Sequence, residues 1–190
     1  IPIKVFDAGF WLGISVLFYN HLILFWIVLF MGLVFYKRLN LKNILISILG
    51  LSIPLFLYYV FCLTFDELPN FFKLFEFGFH NNIVFYGKLS MLIPISILMS
   101  LLIWSIISIT LGVNMVNAKN RSSWFLVLFN LMIALLVAYT NTDKNGSELL
   151  FLFFPSSVIL ANYIQKEKDK WFRNLVLYLV SFIGIGIYFL

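Results

Sequence analysis

The side chains suited to acid–base or metal chemistry are few. Asp66, Glu67, Glu76 and His80 share one polar stretch, Asp143 and Glu148 share another, and His21 stands alone inside an apolar run. Carboxylates beside an imidazole can hold a divalent cation or serve as a general base, here toward a lipid-linked donor. Asp66, Glu67 and His80 are the candidates for such a role. Their spacing does not form a known centre: the sequence contains no His-x-x-Glu-His run, paired-Asp motif, P-loop, dinucleotide glycine motif or nucleophile elbow. No metal or other cofactor is expected. A solvated polar face would account for the same residues, so the sequence leaves their role open.

The surroundings of these residues are set by composition. The 190-residue chain is 63% hydrophobic and 11% charged, with a mean hydropathy of +1.03, whereas soluble domains are about half apolar and about a quarter charged. Such a chain belongs in lipid. At about 20 apolar residues per crossing, it has room for six or seven membrane segments. The expected fold is all-α, a polytopic transmembrane helical bundle forming a single transmembrane domain over residues 1–190. Apolar ends without an initiator Met suggest the C-terminal part of a longer chain. The 23 Phe and 9 Tyr suit lipid-facing and interfacial positions. Cys62 is the only cysteine, which rules out a disulfide within the chain.

Hydropathy divides the chain into segments at about 8–36, 44–64, 91–116, 124–140, 149–164 and 174–190. The first would be roughly 43 Å long as one helix, against a hydrocarbon core of about 30 Å. Either one tilted helix overhangs the core, or two short helices meet at Asn20-His21 as a hairpin. Pro54 should kink the second segment. Between 66 and 80, Asp66, Asn70, Lys73, Glu76 and His80 recur at helical spacing opposite Leu68, Phe71, Phe72, Phe75 and Phe79. That pattern predicts one interfacial amphipathic helix, capped by Asp66 and with Pro69 in its first turn.

Charge fixes the expected orientation. The connections 37–43, 117–123 and 165–173 are basic, whereas 65–88 and 141–148 are neutral or slightly acidic. This alternation places the basic connections in the cytoplasm, with Trp124 and Trp171 as interfacial anchors beside them. It also accounts for the net charge of +5 without nucleic acid, since no basic stripe with stacking aromatics is present. Gly9 and Gly13 form a small-xxx-small pair for close helix packing, with packing inside the bundle favoured over dimerisation. Asn130, near mid-membrane, suits an interhelical hydrogen bond. Pro155-Ser156-Ser157 predicts either a kink with back-bonded hydroxyls or a broken helix lining a cavity.

The run Phe6-Asp7-Ala8-Gly9-Phe10-Trp11-Leu12-Gly13-Ile14-Ser15 leads through an apolar stretch to Lys37-Arg38, and Pro54-Leu55-Phe56-Leu57-Tyr58-Tyr59 follows. With Phe153-Phe154-Pro155 and Ala161-Asn162-Tyr163, these runs resemble a family of polytopic inner-membrane proteins of Bacteroidota, a domain of unknown function. The resemblance implies the bacterial inner membrane and assigns no activity. The opening helix pair is also similar, at the level of fold, to polyprenyl-phosphate-sugar-dependent membrane glycosyltransferases, and fold does not establish function. The resulting expectation is a membrane-embedded subunit or accessory protein in envelope biogenesis. Its partners would be the lipid bilayer and other membrane subunits. The alternatives are an integral-membrane transferase using a lipid-linked sugar or glycan donor, and a transporter.

Overall fold

A computed structural model describes the backbone of residues 2–76, 89–113, 118–140, 146–167 and 169–189. Among the described residues all regular structure is helical: α1 (Pro2–Phe18), α2 (Phe25–Phe35), α3 (Leu41–Thr64), α4 (Leu68–Lys73), α5 (Leu89–Val113), α6 (Ala118–Thr140), α7 (Leu150–Lys166) and α8 (Lys170–Phe189), with short 3₁₀ turns at Asn20–Leu24 and Ser147–Leu149. Helices satisfy every backbone hydrogen bond within one segment, as a chain in hydrocarbon requires. Four stretches of the described residues are long and apolar enough to cross a membrane: Leu41–Thr64, Leu92–Gly112, Arg121–Thr140 and Ser147–Lys166. Asn20–Phe35 is a shorter apolar helix.

The chain forms two compact units, one containing Ile1–His80 and Leu128–Thr142, the other Asn81–Val127 and Asp143–Leu190. The first unit is organised by the packing of α1 on α3. A Cβ on Gly13 would lie 2.6 Å from the Leu51 carbonyl oxygen, and one on Gly50 would lie 2.5 Å from the Phe6 carbonyl oxygen. A Cβ on Gly9 would run into the Ser47 carbonyl. Only hydrogen fits at these three positions, so the two backbones touch. Ser47 completes the small surface, buried and bonded from its hydroxyl to the Ile44 carbonyl at 2.8 Å. The helix runs through Pro54, whose ring faces Gly13.

These contacts also fix direction. Gly9 of α1 meets Ser47 and Leu51 of α3, and Gly13, one turn on, meets Leu51 and Pro54; the residue numbers rise together along both helices, so α1 and α3 are parallel. The chain between them must therefore run back. It breaks at Tyr19, whose backbone is extended at φ −150° and ψ 106°, turns through Asn20–Leu24 and returns as α2, which packs on α1. The stretch 8–36 is thus two helices, and the first starts earlier than the apolar run, at Pro2. Lys4 and Asp7 are exposed and cost little at a helix end.

Two helix ends close in the same way. After α2, Lys37 takes φ 54°, its N–H donates to the Val34 carbonyl at 3.0 Å, and the Arg38 N–H donates to the Leu33 carbonyl at 2.8 Å. After α3, Asp66 takes φ 56° and the Glu67 N–H donates to the Cys62 carbonyl at 2.8 Å. Both are left-handed terminal turns that glycine usually supplies. Asp66 therefore closes α3 and does not cap α4, contrary to expectation, because the carbonyls left unpaired at the end of α3 are satisfied by folding it into the left-handed region. Pro69 does lie in the first turn of α4. This helix is shorter than the predicted 66–80, spanning six residues, Leu68–Lys73, and 77–80 fall outside the described residues.

In the second unit α5 packs on α7 and α8, burying Leu102, Ile109, Ile159, Leu160 and Val176. Trp104 Nε1 donates to the Tyr163 hydroxyl at 3.1 Å, joining α5 to α7. At Pro155 α7 is unbroken, and the hydroxyls of Ser156 and Ser157 donate to the carbonyls of Phe153 and Phe154 at 3.0 and 2.9 Å. This is the back-bonded alternative, not a broken helix. Three helices begin inside the basic connections: Lys42 lies in α3, Lys119 and Arg121 in α6, and Lys170 and Arg173 in α8. Lysine and arginine are good helix formers whose long stems carry the charge back to the interface, so hydropathy places these helix starts too late.

Candidate functional site

The polar end of the first unit is assembled by the close of α3 and by α4. The left-handed turn projects Asp66 and Glu67 side by side, both exposed. Glu67 Oε2 accepts from Asn70 Nδ2 at 3.4 Å, which holds the carboxylate over the first turn of α4. Phe71 docks α4 on the last turns of α3, its ring centroid 5.0 Å from Tyr59 and 6.3 Å from Tyr58. The Tyr59 contact is edge-to-face, a geometry favourable beyond the area it buries. Phe72 in α4 is 61% exposed and Phe75 in the turn after it 46%, so this end presents rings outward as well as inward. Asn20 Nδ2 donates to the Glu76 carbonyl at 3.1 Å. That bond ties the chain after α4 to the turn between α1 and α2.

Beside that turn His21 is 4% exposed, its ring centroid 5.3 Å from that of Tyr19. It is therefore not on an open polar face. His80 and Asp143 lie outside the described residues; of the proposed general-base set, the neighbours Asp66 and Glu67 are both exposed. Among the described residues no three His, Cys, Asp or Glu side chains are grouped so as to hold a metal ion.

Glu148 belongs to the second unit and is 1% exposed. Its Oε2 accepts from the Gly146 N–H at 2.9 Å, and Gly146 takes φ 90°, a conformation open to glycine. The carboxylate sits at the start of the helical run that continues as α7, where the helix field favours negative charge. Its burial is not legible from a short polar turn.

The remaining sequence-derived positions fall as follows. Gly9 and Gly13 face α3 within the chain. Asn130 lies in the part of α6 that belongs to the first unit, and its Oδ1 is buried without a hydrogen-bond partner among the described residues, as is Trp26 Nε1. Trp124 is buried and donates from Nε1 to Thr110 Oγ1 at 3.3 Å, which ties α6 to α5. Trp171 is 71% exposed. In the first turn of α8 its N–H donates to Asp169 Oδ1 at 3.1 Å, a side-chain cap that sequence reading missed.

No curated protein and no solved structure matches this chain. The sequence model of the family of unknown function DUF6427 matches residues 2–189, and the chain belongs to that family.

Proposed function

We propose that the protein is a multi-pass component of a bacterial inner membrane, acting as a membrane-embedded subunit or accessory protein that packs against other membrane proteins in envelope biogenesis. The observation that carries this reading is the division of surface on α3. One face is sealed by the Gly9, Gly13 and Gly50 contacts. The other leaves Leu45, Leu49, Ile53, Phe56 and Val60 exposed, an apolar stripe that only lipid or a partner helix can cover. In this reading α1, α2 and α8 join the four longer helices to give six or seven segments, and α4 lies in the interface as an amphipathic element. The basic connections 37–43, 117–123 and 165–173 face the cytoplasm.

Co-purification in a mild detergent tests the proposal. A stoichiometric membrane partner is expected, and recovery of the protein alone at monomer mass counts against it. A second reading, a transferase using a lipid-linked glycan, draws support from Asp66 and Glu67 standing exposed beside α4.

A further inference from the structure

We infer that the basic end of the first unit binds the headgroups of anionic phospholipids. The inference rests on the membrane reading above. A whole helical hairpin separates Lys4 from Lys37, Arg38 and Lys42 in sequence, yet the parallel packing of α1 on α3 brings the start of α1 to the same end as the α2–α3 turn. All four cations are exposed. Asp7 is the only acidic residue before Asp66. It offsets one of the four charges and leaves this end basic.

Apolar side chains alternate with these charges. Ile3 beside Lys4, Leu39 beside Arg38 and Leu41 beside Lys42 are 75%, 50% and 77% exposed. In water this arrangement would waste apolar surface. At a bilayer surface the aliphatic groups enter the acyl boundary while the cations remain at phosphate level. The turn is also fixed in shape: its left-handed Lys37 is held by the two terminal backbone hydrogen bonds, and Asn43 Nδ2 donates to the Arg38 carbonyl at 2.8 Å. The Arg38 guanidinium, on this fixed turn, offers paired donors that match a phosphodiester.

The test uses the full chain in phosphatidylcholine vesicles, with a bimane on Leu39→Cys; the native Cys62 is fully buried. Quenching is compared between nitroxide-labelled phosphatidylglycerol and nitroxide-labelled phosphatidylcholine. The phosphatidylglycerol probe should quench at lower mole fraction, and Arg38→Gln with Lys42→Gln should reduce that preference by about fivefold per charge removed, the equivalent of about 1 kcal/mol for each cation at an anionic surface. Equal quenching by the two lipids, or a preference unaffected by the double variant, overturns the inference and leaves the membrane reading standing. Quenching by neither lipid overturns the membrane reading as well.

Discussion

Gly13→Ala puts a methyl group 2.6 Å from the Leu51 carbonyl oxygen and 3.1 and 3.2 Å from Cγ and Cδ of Pro54. A carbon–oxygen contact relaxes only at about 3.3–3.6 Å. Neither a helical carbonyl nor a proline ring can swing aside, so α1 must retreat from α3 by roughly 0.7–1 Å. A gap of that size forfeits about a quarter to a half of the dispersion energy along the seam, and overpacking of this kind costs about 1–3 kcal/mol. The helix-forming advantage of alanine returns at most about 1 kcal/mol, leaving a net loss of up to about 2 kcal/mol. Gly112→Ala serves as the control, since a Cβ there meets nothing within 4 Å, and it should be neutral or slightly stabilising. Unfolding of the full chain by SDS in mixed micelles, followed by circular dichroism, measures both. If Gly13→Ala is as stable as Gly112→Ala, the close seam between α1 and α3 is wrong.

In the same titration Lys37→Gly and Asp66→Gly should each stabilise the protein by about 0.5–1 kcal/mol, because both residues occupy left-handed positions that cost a side chain more than a glycine. A loss of stability would show that those terminal turns do not form. Phe71→Ala should release α4 from Tyr58 and Tyr59 and raise the rate of protease cleavage between residues 66 and 76, with little change in global stability; an unchanged rate would mean that α4 is held otherwise. Trp104→Phe removes the hydrogen bond to Tyr163 and should cost about 0.5–1.5 kcal/mol, whereas no cost would show that the bond is replaced by solvent.

Long apolar runs and alternating charge made the helices legible, because both follow from the solvent alone. The Gly9 and Gly13 pattern was visible as well, but the surface that receives it was not. Ser47, Gly50 and Pro54 become a partner face only after α2 has turned the chain back. Asp66 misled because its type suits a helix start, while its left-handed backbone answers a need of the preceding helix. Trp124 stands beside a basic connection in sequence, and its bond to Thr110 on α5 exists only once the two helices are packed. The site candidates were legible as residue types only: exposure distinguishes Asp66 and Glu67 from Glu148, and exposure is a tertiary property.

In the proposed topology α1, α2 and α3 cross lipid with the lysine-rich end inward. Asn40 and Asn70 are exposed and lie in the α2–α3 turn and in α4. Each is changed to Cys and exposed to a membrane-impermeant maleimide in sealed, right-side-out inner-membrane vesicles. Asn70→Cys should react at once and Asn40→Cys only after the vesicles are opened; reaction of both from the same side, or in the reverse order, would contradict the account.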